Sequence, residues 1–176
     1  MSQQDHRRFN ELVRMIFQLN ALLEEKGDSV VSDLPINSSR WRVMEALSEA
    51  NQSMPAAHIA KDIGLTRQNV NRLIQEMIKD GFLEAKENPY HQRAKLIELT
   101  RKGAYLYDEV KRRRDVISHF LLKHFPQQKL DEAVELLDAF KQSAEELFDQ
   151  RLDSYELLLR RHQFKFPDFD DEDFQD

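Results

Sequence analysis

The 176 residues are 40% apolar and 33% charged with a net charge of −6, a polar globular composition with room for one domain or a small domain plus long helices. The absence of cysteine excludes a disulfide framework, a thiolate metal site and a thiol-based switch. No signal-peptide core and no run of about 18 apolar residues occurs, so a soluble, cytoplasmic chain with no membrane partner is expected.

The charge is unevenly spread. Residues 1–60 hold 6 basic and 8 acidic side chains, residues 61–125 hold 14 and 9, and residues 126–176 hold 6 and 15. The middle is therefore at +5 and the C-terminal part at −9. Steering toward phosphate depends on the local field, which salt screens beyond roughly 8 Å. An acidic total is thus compatible with a nucleic-acid-binding middle.

Gly and Pro together number nine, a scarcity that favours helices. Phe9, Leu12, Val13, Ile16, Leu19 and Leu23 recur at helical spacing and predict a first helix to about Glu25, ended by Gly27. After a loop containing Pro35, Asn37 or Ser38 caps a second helix through Ala50, with Trp41, Met44 and Leu47 on its buried side. Pro55 suits the first turn of a third helix whose apolar positions are Ile59 and Ile63. Gly64 and Leu65 follow, and Thr66 caps a fourth helix over Arg67 to Asp80, with Gly81 as its C-cap.

Residues 82–86 read as a short strand, residues 88–91 as a turn, and residues 94–99 as the return strand, with Leu96 and Ala94 facing inward. Thr100 caps a long helix that stops before Pro126. A last helix runs from about Gln127 into the 150s, its apolar stripe made by Leu130, Val134, Leu137, Phe140, Ala144, Leu147 and Phe148. Residues 164–176 alternate Phe with acidic residues, reading as a flexible tail, as a segment folded against its own dimer, or as a competitor with DNA for the basic middle.

Two short helices, a Gly-containing turn, a capped helix and a β-hairpin form the layout of a winged helix-turn-helix. In the fourth helix Val70, Leu73, Ile74, Met77 and Ile78 share one face. The opposite face holds Gln68, Arg72, Gln75 and Lys79, edged by Asn69 and Asn71, with Arg67 in the first turn. Arg pairs bidentately with guanine and Asn or Gln with adenine, and the free N–H groups beyond Thr66 can hold a phosphate. An ordinary solvated helix face is the bland alternative, and the attached hairpin weighs against it. The hairpin tip adds His91 and Arg93 as candidate groove or phosphate contacts; turn chemistry is an equal reading for His91.

Residues 59–77 (IAKDIGLTRQNVNRLIQEM) and 80–103 (DGFLEAKENPYHQRAKLIELTRKG), with SSRWRVMEAL at 38–47, resemble the multiple-antibiotic-resistance regulator (MarR) family. The resemblance spans roughly residues 9–150. The wing of that family carries an Asp-x-Arg pattern. Here Arg93 matches its later arginine, while the acidic position falls on His91 or Asn88 and a basic one on Gln92.

The resemblance implies a mainly α fold with a small β-hairpin wing: a winged helix-turn-helix with a long helical dimerisation region. Long amphipathic helices at both ends support the dimer independently, because one small winged domain cannot bury them. The expected organisation is a dimerisation helix and loop at 1–36, a DNA-binding domain at 37–100, dimerisation helices at 101–160 and a tail at 161–176. The implied function is transcriptional repression, less often activation, by a homodimer on a pseudo-palindromic double-stranded operator. A phenolic or anionic small-molecule effector is also implied, in a cleft that Phe17, Arg40, Trp41 and Met44 suit by position, although Phe17, Trp41 and Met44 suit a plain core equally well.

The alternative is a winged-helix module that binds an acidic protein partner. An enzyme is not expected. There is no Gly-rich phosphate loop, Gly-x-Ser-x-Gly or His-Glu-x-x-His. No cofactor or metal is expected either, since His119 and His124 are five residues apart on a helix and diverge. The basic run Lys111 to Arg114 spans more than one helical turn and reads as a salt-bridged, solvated stretch.

Overall fold

The computed structural model describes residues 2–89 and 94–150. The elements are α1 (Gln3–Val30), α2 (Ser38–Ala50), β1 (Met54–Pro55), α3 (Ala56–Ile63), α4 (Arg67–Lys79), β2 (Leu83–Lys86), β3 (Leu96–Leu99), α5 (Arg101–Leu122) and α6 (Gln127–Gln150). This is the mainly helical winged helix-turn-helix expected. The tip of the wing, with His91 and Arg93, the end of the last helix and the acidic-aromatic tail lie outside the described residues.

The chain divides near Phe120 into two compact units, one up to that residue and one from Leu121 onward. The core of the first unit is a single apolar cluster. Val43, Met44 and Leu47 of α2 meet Ile59 of α3, and Val70, Leu73, Ile74 and Met77 of α4; Leu83, Ile97, Leu106 and Val110 complete it. Helical periodicity decides which side chains enter. On α4, Val70, Leu73, Ile74 and Met77 fall at i, i+3, i+4 and i+7 and all are buried.

Three expectations are corrected. Gly27 does not end the first helix, which continues to Val30. A Cβ on Gly27 would lie 3.4 Å from the Ser38 Cβ and 3.9 Å from the Trp41 ring, so this glycine allows close approach to α2 rather than a stop. Pro55 precedes α3 as its N-cap instead of sitting in its first turn, and with Met54 it forms an additional strand. That strand makes the sheet three-stranded in the order β1-β3-β2, all antiparallel, with Met54 opposite Ile97 and Leu83 opposite Leu99. Two residues carry too little periodic pattern to be read as a strand. Finally, Ile97, not Leu96, is the buried side chain of β3, because register puts alternate residues on opposite faces.

The base of the hairpin is tied in place. The Thr100 hydroxyl donates to the Gly81 carbonyl at 2.7 Å, and the Thr100 N–H donates to the Phe82 carbonyl at 3.0 Å. The same hydroxyl accepts from the Gly103 N–H at 3.0 Å and so also caps α5. Glu84 and Glu98 face each other across β2 and β3, a repulsive placement, and Lys86 reaches both carboxylates. Glu98 is accordingly held below its ordinary pKa, with the Lys86 hydrogen bond the main cause.

Among the described residues, no helix is long and apolar enough to cross a membrane.

Candidate nucleic-acid interface

The site is built around α4. Leu65 and Gly64 turn the chain from α3, with Gly64 in the left-handed region at φ +67° and the Leu65 N–H donating to the Ala60 carbonyl at 3.1 Å. Thr66 then takes an extended conformation, and its hydroxyl accepts from the Asn69 N–H at 3.2 Å. That hydroxyl satisfies one of the four free donors of the first turn. The remaining donors lie at the positive end of the helix dipole, the end suited to an anionic group.

The C-terminal end of α4 is held from two sides. Arg40 of α2 forms an ion pair with Asp80, and the Lys102 ammonium donates to the Asp80 carbonyl at 2.7 Å while lying 4.5 Å from the Phe82 ring centre. Gly81, at φ +77°, then turns the chain into β2. The helix is therefore fixed at both ends and along its inner face, and its outer face is left clear.

On that outer face Thr66, Arg67, Gln68, Asn69, Asn71 and Arg72 are all exposed, as are Gln75 and Lys79 further along. The sequence placed these residues together, and the backbone does so. Arg67, Asn71 and Gln75 also border a shallow groove of about 360 Å³ whose other wall includes Pro55, Ala85 and Lys95 of the sheet region. Helix and hairpin base thus form one continuous surface.

Arg72 is not a free cation. Its NH1 donates to the Glu76 carboxylate at 2.7 Å, one turn along the helix. The i,i+4 spacing of the two residues was the available sequence signal for this pair, and residue-type reasoning about the arginine alone passed over it.

The expected effector residues are dispersed. Phe17 is 72% exposed on α1, whereas Met44 is wholly buried in the core. Trp41 is half-buried, with the Arg114 guanidinium 4.2 Å from its ring centre. Arg40 contacts the Pro35 carbonyl and Asp80, and its Nε is buried with no hydrogen-bond partner.

The three arginines of the basic run, Arg112 to Arg114, are engaged within the protein. Arg112 and Arg113 both donate to Glu109, Arg113 also binds Asp33 and the Val30 carbonyl, and Arg114 pairs with Glu45. Arg113 and Arg114 thus tie α5 to the turn after α1 and to α2.

Comparison with known proteins agrees with this fold. Residues 32–94 match the model of the MarR family. An uncharacterised protein of Mycobacterium tuberculosis is 29% identical over 110 residues, covering 62% of this chain and 76% of the relative. The transcriptional repressor MprA of Escherichia coli is 26% identical over 100 residues, covering 56% and 57%. A mutant MarR from E. coli complexed with operator DNA superimposes with a TM-score of 0.66 at 18% identity, over 76% of this chain and 95% of that one. That structural likeness establishes the fold.

Proposed function

We propose that this chain, whose residues 32–94 match the MarR family model, is a MarR-type, sequence-specific DNA-binding transcriptional regulator acting as a homodimer. The observation that carries the reading is the outer face of α4. Five Arg, Asn and Gln side chains lie within positions 67–72, all exposed, on a helix whose inner face is locked into the core. Arg67, Gln68, Asn69, Asn71 and Arg72 are the base-reading candidates, Thr66 marks the phosphate-holding turn, and His91 and Arg93 are the candidate contacts of the wing.

Two-fold symmetry is supported by the apolar side chains that α1 and α6 each leave exposed, among them Phe9, Leu19 and Leu23 on the first and Val134, Leu136 and Leu137 on the second. A monomer rarely leaves so much apolar surface in water. The operator is then pseudo-palindromic, with half-sites about one helical turn, 10–10.5 bp, apart. Repression by operator occupancy is the regulatory sign we assign. MprA of E. coli carries that description, and blocking a promoter requires of the protein nothing beyond binding.

Relief by a phenolic or anionic effector fits the same architecture, and Arg40 and Trp41, each partly exposed on α2, are its candidate contacts.

The direct test of the base-reading face is Arg72→Ala. Its affinity for an operator duplex should fall by about 1–3 kcal/mol while preference at one base pair is lost. Equal weakening on every duplex would assign Arg72 to phosphate contact instead.

A further inference from the structure

We infer that Glu76 determines specificity by holding the Arg72 guanidinium in the orientation from which it reads a guanine; this rests on the DNA-binding reading above. Arg72 and Glu76 lie one turn apart on the outer face of α4, with NH1 and Oε1 2.7 Å apart. Their side chains are 65% and 46% exposed, so neither belongs to the core.

Helix stability does not account for the pair. Arg ahead of Glu is the weaker order for an i,i+4 ion pair, and Glu76, in the second half of α4, lies toward the negative end of the helix dipole. Nor does general affinity for DNA account for it. A carboxylate on a face that approaches phosphates repels them and cancels the charge of Arg72. On both counts the acidic residue is unfavourable at this position.

Its contribution is direction. An arginine side chain has many rotamers, and fixing it on binding has an entropic cost. The guanidinium carries five N–H donors in one plane, and Glu76 occupies one on NH1. The other NH1 hydrogen and both NH2 hydrogens remain for a bidentate contact to guanine O6 and N7. Once water is displaced in the groove the ion pair strengthens, because the local dielectric falls. Against any other base the fixed guanidinium loses the paired O6 and N7 acceptors, and no bidentate contact offsets the repulsion between the carboxylate and the phosphates. Wrong sequences are therefore penalised more than the right one is rewarded.

The test reads base discrimination in full-length protein. Wild-type protein enriches duplexes from a random pool, and the guanine read by Arg72 is the position at which Arg72→Ala loses its preference. Glu76→Gln, which keeps the shape and removes the charge, and Glu76→Ala are then compared on the enriched duplex, on the same duplex altered at that position, and on unrelated DNA. Both variants should bind unrelated DNA at least as tightly as wild type and lose about tenfold in discrimination at that one position. The loss should vanish in the Arg72→Ala background. Undiminished discrimination, or an equal loss at every position, would overturn the inference while leaving the DNA-binding reading intact. A pool from which wild-type protein enriches no motif would overturn both.

Discussion

Gly103, the third residue of α5, illustrates how closely single atoms constrain this fold. A Cβ placed there would drive into the Phe82 carbonyl oxygen and lie 3.3 Å from Leu99 Cδ2. In an exposed helix a Gly-to-Ala change stabilises by up to about 1 kcal/mol. Here Gly103→Ala should instead destabilise by about 1–3 kcal/mol in urea titration, because packed backbone cannot yield. Thr66 acts through one hydroxyl. Thr66→Ala should cost about 0.5–2 kcal/mol, and Thr66→Ser should restore most of it. At this scale the sequence was highly legible: the caps at Asn37, Thr66 and Thr100 and the outward polar set of α4 all follow from residue type and spacing. The partners of charged side chains were not. The ion pairs Arg113–Asp33 and Arg114–Glu45 join residues 80 and 69 positions apart, beyond the reach of any local pattern.

Among the elements, the clearest energetic handle is the clamp between α5 and the turn after α1. Arg113 donates to both oxygens of Asp33, and this hydrogen bonding is the main reason the Asp33 carboxyl is held at about 2 instead of its ordinary 3.8. A depressed carboxyl pKa contributes stability that is complete above the unfolded value and lost as pH falls through the folded one. The difference in stability between wild type and Asp33→Asn should therefore be constant at neutral pH and close between about pH 4 and pH 2, as measured by denaturation at each pH. A constant difference through that window would show that the ion pair contributes nothing. The elements that the sequence misplaced share one cause. Gly27, the strand Met54–Pro55 and the inward turn of Ile97 are each decided by a neighbour distant in sequence: α2 for the glycine, and β3 and its register for the strands. Long amphipathic helices declare themselves locally; glycine contacts and two-residue strands do not.

At the scale of the whole molecule, a net charge of −6 is compatible with DNA binding, because a phosphate senses the charge near it, +5 over residues 61–125, and salt screens fields beyond roughly 8 Å. If exposed apolar side chains of α6 form part of a dimer interface, Val134→Glu should shift sedimentation toward monomer and weaken operator binding together, since both half-sites must be held at once. Base recognition by α4 is tested most directly by selecting duplexes from a random pool with full-length protein and with Arg72→Ala. Wild-type protein should enrich a pseudo-palindrome whose half-sites are centred about 10–10.5 bp apart, and the variant should lose one conserved base pair in each half-site. A wild-type pool that stays random would contradict the assignment of the helix capped by Thr66 to sequence-specific DNA recognition.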